Sequence, residues 1–239
     1  MDMNHHRQQE WNYSIKKMFG SISRRYDLLN TLMTFGQDRL WRRRVVKQAG
    51  LPSEGSLLDA GAGTGMIALE ALRHNPGLKV VAADLTLNMM KVGRKRAGDK
   101  DIMWCCADAL RLPFPDKTFD AAVSGYLIRN VPDITGCFSE QFRVVKPGGR
   151  VICLDTSPPP DTLMKPLVML HLKVMIPILG GLISGKWDAY RYLPESTRSF
   201  KTPQELSQIM GNVGFRDITY KRYMFGTMVI VQGTRPQGI

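Results

Sequence analysis

A short apolar run breaks into glycines at alternate positions, Leu57-Leu58-Asp59-Ala60-Gly61-Ala62-Gly63-Thr64-Gly65. No other stretch limits the possible folds as tightly. The run reads as a buried strand, and the residues beyond the glycines, Ala68 to Leu72, follow a helical pattern. A glycine turn between strand and helix lets the backbone adopt positive φ and lets a ligand approach the main chain. The dinucleotide-binding fingerprint would need its third glycine at position 66, where this chain has Met66. Asp59, two residues ahead of the first glycine, places a carboxylate at the strand end, which suits a cationic ligand better than a pyrophosphate.

The same alternation continues along the chain. Leu78–Ala83, Ile102–Cys105, Phe119–Ser124 and Arg150–Leu154 read as strands, and Asn88–Arg96 and Ile134–Val145 as helices, the latter closing on the turn Lys146-Pro147-Gly148-Gly149. Strands alternating with helices predict an α/β fold with a parallel sheet wound on both faces. Residues 158–198 break the rhythm and read as an insertion after the fifth strand. A helix over Pro203–Val213 and two closing strands, Asp217–Tyr220 and Thr227–Val231, predict a terminal hairpin. The expected organisation is an N-terminal helical cap over 1–45, a ligand-binding core over 46–157, a helical insertion capping the substrate over 158–200, and a helix and strand hairpin over 201–239 that complete the sheet.

Two further acids fall where such a core binds a nucleoside. Asp84, followed by Leu85, ends the second strand nineteen residues after Gly65, where an acid accepts hydrogen bonds from ribose hydroxyls; a helix N-cap is the plainer role for the same residue. Asp108-Ala109 follows the third strand, where an acid can accept an adenine amino group.

In this order the three motifs resemble the class I S-adenosylmethionine-dependent methyltransferases, over roughly residues 45–155. That likeness implies a seven-stranded sheet with an antiparallel last strand. The flanks are more specific. Tyr26-Asp27-Leu28-Leu29-Asn30, Arg39-Leu40-Trp41-Arg42, Leu112-Pro113-Phe114-Pro115-Asp116, Arg129-Asn130-Val131, Tyr190-Arg191-Tyr192-Leu193 and Gly214-Phe215 resemble the ubiquinone/menaquinone biosynthesis C-methyltransferases over about residues 18–233. Where that family has Phe-Gly-Leu before Arg-Asn-Val, this chain has Tyr126-Leu127-Ile128, and a cofactor-contacting serine of the family falls on Gly125.

The resemblance implies transfer of a methyl group from S-adenosylmethionine, leaving S-adenosylhomocysteine, to a ring carbon of a polyprenylated quinol. The step would be demethylmenaquinol to menaquinol, the methoxy-polyprenyl-benzoquinol step of ubiquinone biosynthesis, or both. It implies a cofactor site of Asp59, Gly61, Gly63, Thr64, Gly65, Asp84, Leu85, Asp108, Ala109 and Gly125. It places Arg129, Asn130, Asp155 and Tyr192 at the reacting centre, and Tyr26, Asn30, Trp41 and Tyr126 around the acceptor. For Arg129 a structural ion pair is a close rival reading. The apolar stretch Leu163–Ile183, broken by Lys165, Pro166, His171, Lys173 and Pro177, makes a poor membrane span and is the expected wall of a prenyl channel. No metal-ligand spacing stands out, so no metal is expected.

The 239 residues carry 33 Lys and Arg against 21 Asp and Glu, a net charge of +12. Half of the excess lies in residues 1–47, with ten basic side chains against four acidic ones. Such charge seeks an anionic partner. A nucleic-acid amino-methylase would carry an Asn/Asp-Pro-Pro-aromatic motif after the fourth strand, where Ser124-Gly125-Tyr126-Leu127 stands instead. None of Cys105, Cys106, Cys137 and Cys153 follows a proline, as a cytosine-carbon methylase nucleophile usually does. Nucleic acid is therefore not expected, and the basic groups Arg24-Arg25 and Arg42-Arg43-Arg44 become the candidate dock for an anionic bilayer. A polar start without an apolar leader and four unpatterned cysteines point to a cytoplasmic protein, peripheral on the inner face of the membrane. Another small hydrophobic acceptor, and a binding protein that keeps the fold without catalysis, stand as the alternatives.

Overall fold

In a computed structural model the chain is described over residues 2–185, 187 and 195–238. Three helices open it: α1 (Asp2–Ile22), α2 (Tyr26–Met33) and α3 (Asp38–Ala49). The alternating core follows as β1 (Ser56–Ala60), α4 (Met66–His74), β2 (Lys79–Asp84), α5 (Leu87–Ala97), β3 (Ile102–Cys106), β4 (Phe119–Gly125), α6 (Ile134–Val144) and β5 (Val145–Thr156). The insertion carries α7 (Lys165–Leu170), a π-helical stretch (His171–Met175) and α8 (Ile176–Ser184). Then come α9 (Pro203–Val213), β6 (Arg216–Tyr223) and β7 (Met228–Thr234).

The strands form one sheet in the order β3-β2-β1-β4-β5-β7-β6, with β7 antiparallel to both neighbours and the others parallel. The expected doubly wound sheet with a terminal hairpin is thus present. One face buries an apolar layer that includes Trp41 and Val45 of α3 and Ile67 and Leu72 of α4; the other buries Phe138 of α6 and Leu206 and Met210 of α9. α9 starts on a capping box, Thr202 accepting from the Glu205 amide while Glu205 reaches back to the Thr202 amide.

Local boundaries differ from expectation in two places, β5 and α3. β5 begins at Val145, five residues early: the Lys146-Pro147-Gly148-Gly149 turn lies inside the strand, accommodated by a register shift against β4 between Phe119 and Ala121. α3 runs across the expected boundary at 45/46 and packs on the sheet, so the N-terminal cap proper ends before Asp38. The insertion is helical, with a π turn immediately before Pro177. That proline has no N–H for the carbonyl four residues back, and the wider turn accommodates the loss.

The strand order reverses between β1 and β4, and in open α/β sheets the crevice beyond the carboxyl ends of the strands at such a switch point is where ligands bind.

Candidate functional site

A cavity of about 1070 Å³, open at its mouth, lies beyond the carboxyl ends of β1, β2 and β4. Gly61, Gly63 and Gly65 all have positive φ, between 56° and 71°. The conformation is required, and so is the missing side chain: a Cβ on Gly61 would meet Leu127 at 2.7 Å, and one on Gly65 would meet the Trp104 ring at 2.5 Å. The turn is held from below by carboxylates. Asp84 accepts from the Gly63 amide at 2.7 Å and from the Thr86 amide at 2.6 Å, so it binds the glycine turn and the start of α5 together. Asp59 accepts from the Ala68 amide in the first turn of α4 at 3.0 Å, while its second oxygen, Oδ1, is buried with no partner among the described residues.

Two buried carboxylates facing one cavity are costly unless a cation or hydroxyl donors meet them. Burial pushes the Asp59 carboxyl up to about 7; the Ala68 amide and Arg42 oppose the rise, and Asp84 adds to it. Burial also raises Asp84, against the amides of Thr86 and Gly63. An orphaned carboxylate oxygen beside a glycine cradle fits the ammonium group and ribose hydroxyls of S-adenosylmethionine.

Of the expected cofactor residues, Asp59, Gly61, Gly63, Thr64 and Asp84 line this cavity, as do Leu85, Asp108, Ala109 and Gly125. Gly65 does not: it serves the turn and the close approach of Trp104. Asp108 is already engaged, accepting from the Leu110 amide at 2.9 Å and from Asn12 Nδ2 of α1 at 2.9 Å. α1 lies across the mouth, contributing Asn12, Ile15 and Phe19 to the lining, and Trp11 Nε1 donates to the Asn130 carbonyl at 2.8 Å. Asp27 fastens α2 to the turn by accepting from the Thr64 hydroxyl at 2.8 Å.

A second cavity, of about 560 Å³, adjoins the first. Both are lined by Asn30 and Tyr126, so these two residues form the shared wall. Tyr126 has φ +59°, unusual for an aromatic residue, and its buried hydroxyl has no partner among the described residues. The second cavity is largely apolar, with Met33, Leu172, Ile176, Met224 and Met228 in its walls, but Arg129 and His171 also face it. Arg129 Nη1 lies 3.4 Å from Asp155 Oδ1, its amide donates to Asp155 Oδ2 at 3.1 Å, and its guanidinium sits 5.3 Å from the Tyr126 ring centre. The pair is deeply buried, the side chains 4% and 0% exposed. Burial raises Asp155, and the Arg129 charge opposes that rise. Arg129 Nε has no partner among the described residues. His171 Nε2 lies 3.2 Å from the Met33 carbonyl, an oxygen to which a protonated Nε2 can donate.

The structure brings Tyr26, Asn30, Tyr126 and Asn130 to the first cavity and Arg129 to the second. Asp155 reaches neither and contacts Arg129. Trp41 is a correction. It is buried in the core with its ring 6.4 Å from that of Tyr223, because α3 turns that face to the sheet. Tyr192 lies outside the described residues. Two further residues line the cavities: His171, which the sequence suggests only as a break in an apolar stretch, and Arg42, which it suggests as part of a membrane dock. Arg42 is 6% exposed, lines the first cavity and pairs with Asp38 at 2.7 Å; the i,i+4 spacing of acid and base on one helix was the available signal. Of the arginines expected to dock, only Arg42 is buried, paired with Asp38; Arg43 and Arg44 are exposed, Arg43 also pairing with Glu70 at 3.2 Å and Arg44 lying over the Tyr223 ring, and Arg24 and Arg25 are exposed as well.

The model of the ubiE/COQ5 methyltransferase family matches residues 3–235. A ubiquinone/menaquinone biosynthesis C-methyltransferase UbiE of Desulfotalea psychrophila is 43% identical, covering 92% of this chain and 90% of the relative. A demethylmenaquinone methyltransferase of Thermus thermophilus is 41% identical over 92% of this chain and 100% of the relative. A mitochondrial 2-methoxy-6-polyprenyl-1,4-benzoquinol methylase of Caenorhabditis elegans is 34% identical over 93% and 80%. Among solved structures, a phosphoethanolamine N-methyltransferase 2 of Haemonchus contortus, in complex with S-adenosyl-L-methionine, superposes with a TM-score of 0.62 at 19% identity, covering 82% of this chain and 52% of that one. That likeness reaches the fold alone; the family model and the relatives reach further, and the chain belongs to the ubiE/COQ5 family of S-adenosylmethionine-dependent methyltransferases.

Proposed function

We propose that this protein methylates a ring carbon of a polyprenylated quinol, demethylmenaquinol in the first instance, with S-adenosylmethionine held in the cavity above the glycine turn. The observation that carries the reading is the pair of cavities sharing Tyr126 and Asn30: one faces two buried carboxylates, the other is apolar with a buried guanidinium and an imidazole. When bound, the cofactor supplies an electrophilic methyl on a positively charged sulfur. Asp59 would hold its ammonium group, Asp84 its ribose, and Asp108 its adenine amino group.

The protein's own work lies on the acceptor side. A phenol is a weak carbon nucleophile, and its phenolate pushes electron density into the ring. Arg129, with Nε unpartnered and its charge partly balanced by Asp155, favours the phenolate and lowers the acceptor's pKa. His171 takes the phenolic proton, and once the carbon–carbon bond has formed the methylated carbon gives its own proton to the oxygen that lost one, which restores the aromatic ring. Tyr126 and Asn30 align the ring between the cavities, and alignment accounts for much of the rate of an in-line transfer. Asp155 is a positioning residue: it fixes Arg129 through both backbone and side chain. The apolar wall of the second cavity takes the first units of the prenyl tail.

We infer that the protein works at the cytoplasmic face of a membrane carrying its substrate, a reading supported by the lipid-borne acceptor and by the exposed basic pair Arg24 and Arg25. The benzoquinol acceptor is the second reading, favoured by the 34% identity to a relative named for that substrate. Quinones extracted from a strain lacking the gene and analysed by mass spectrometry test both. A demethylated naphthoquinone precursor should accumulate; a demethylated benzoquinone would select the second reading, and a normal profile would reject both.

A further inference from the structure

The insertion presents an apolar surface that nothing in the described structure covers. From Lys165 to Ile183 the mean hydropathy reaches 1.9, yet only 22% of that window is buried. Its inner side belongs to the acceptor cavity: His171, Leu172 and Ile176 line it. Its outer side does not. Leu163 is fully exposed, Leu182 is 71% exposed, and Leu167, Leu170, Val174 and Ile178 between them recur at intervals of three and four along the same stretch. α2 packs beside α8 and extends the surface with exposed Leu28 and Leu32, followed by Phe35, 72% exposed, whose ring lies 5.6 Å from that of His171. Leucine and phenylalanine at such exposure on adjoining helices form a patch of the kind that marks an interaction site.

The charge around the patch identifies its occupant. Residues 162–184 contain no acid. Lys173 lies in the ridge, Lys165 at its start pairs with Asp161, and Arg24 and Arg25 stand at the head of α2, Arg25 donating to the Ile183 carbonyl at the end of α8. Trp187, half-exposed, follows α8, where an amphipathic ring suits a headgroup layer. A second copy of this chain docked face to face would bring like charges together; an anionic leaflet offers them phosphates. A span is ruled out by the inner side, which roofs a cavity, so the segment lies in the interface plane.

We infer that α7, the π turn, α8 and the outer side of α2 form a ridge that inserts into the headgroup–acyl boundary of an anionic leaflet. The ridge places the acceptor cavity one helix thickness from the hydrocarbon, so a prenyl tail passes from bilayer to site without crossing water. This inference rests on the polyprenylated acceptor proposed above. It moves the membrane contact from the arginines of α3 to an apolar surface that those of α2 only border.

The test uses the full chain with phosphatidylcholine vesicles, with and without phosphatidylglycerol, read by co-sedimentation and by quenching of tryptophan fluorescence with brominated acyl chains. Wild type should partition more strongly when phosphatidylglycerol is present, and its fluorescence should be quenched. Leu170→Ser with Leu182→Ser, both outside the cavities, should weaken partitioning about tenfold per leucine. Methylation of a short-chain acceptor in solution should stay at the wild-type rate. Lys173→Glu should reduce the phosphatidylglycerol-dependent part alone. Partitioning unchanged in the double variant, or absent in wild type, overturns the ridge. So does a wild-type dimer in sedimentation velocity that the double variant disperses, which would make the surface an interface between copies. Failure to methylate the short-chain acceptor, with partitioning intact, would instead reject the assigned reaction.

Discussion

The cavity above the glycine turn takes its polar character from main-chain amides and from carboxylates at strand ends, whereas the cavity beside it is assembled from side chains of α2, the insertion, the loop after β4 and the turn before β7. In the first, the sheet dictates geometry: β1 and β2 pair in register from Ser56↔Lys79 to Ala60↔Ala83, so Asp59 and Asp84 arrive at one crevice by strand pairing alone. In the second, no single element dictates position. Arg129 is oriented by Asp155 of β5 and by the Tyr126 ring, and His171 by the Met33 carbonyl of α2. A site written in backbone tolerates drift in its surroundings; one written in side chains from distant segments can change its ligand by a few substitutions.

The strongest way to break this comparison is to remove Arg129. Arg129→Leu leaves Asp155 buried without its counter-charge, a loss of about 3–5 kcal/mol in stability. The melting temperature should fall sharply, and the single-turnover rate should fall far more than S-adenosylmethionine affinity. Arg129→Leu combined with Asp155→Leu separates the two effects: the melting temperature should recover while turnover stays low. Recovery of turnover in the double variant would reduce the pair to scaffolding.

Legibility in the sequence follows the same division. Asp59, Gly61, Gly63 and Asp84 could be placed because strand period, turn residue and helix start are local signals. Arg129 and Asn130 were found only through family resemblance, and nothing local separates an arginine in an ion pair from one facing a substrate. Trp41 was misplaced for a related reason: in a helix as basic as α3, the sequence does not announce which stripe faces the sheet, and the buried face proved to be Trp41, Val45 and Ala49. The strand extension across Pro147 is hidden because a proline and two glycines read as a turn, and the ladder to β4 indeed skips them, passing from Val145 to Arg150 across a register shift.

The cofactor side has a cleaner point of attack. Asp84→Ala removes two charge-assisted hydrogen bonds, to Gly63 and Thr86, and one acceptor for the ligand. S-adenosylmethionine binding should weaken about a hundredfold in calorimetry. Unchanged affinity would return Asp84 to a helix cap and nothing more.

A smaller effect is expected from pH. The free protein holds a proton on Asp59 up to about pH 7, well above the unfolded carboxyl, so between the ordinary carboxylate range and 7 the native state binds more protons and stability falls as pH rises. A cationic ligand prefers the carboxylate. S-adenosylmethionine affinity should therefore climb with pH up to about 7, by at most about tenfold per unit, and level off above it. Asp59→Asn should lower the affinity and flatten both profiles. An affinity independent of pH in the wild type would show that Asp59 does not face the ligand's cation.

The finest distinction concerns α1, which lies outside the sheet but covers the mouth of the first cavity and lines it with Asn12, Ile15 and Phe19. Asn12 Nδ2 occupies one oxygen of Asp108 and the Leu110 amide the other, so a ligand amino group must displace or share with Asn12. Asn12→Ala frees that oxygen while leaving the Trp11–Asn130 contact to hold the helix. A net hydrogen bond of about 1 kcal/mol corresponds to roughly a fivefold change, and the sign carries the information. Competition predicts tighter S-adenosylmethionine binding in the variant. Weaker binding would make Asn12 part of the cofactor site, and α1 would then join the sheet-directed half of the molecule as a wall that the ligand needs closed.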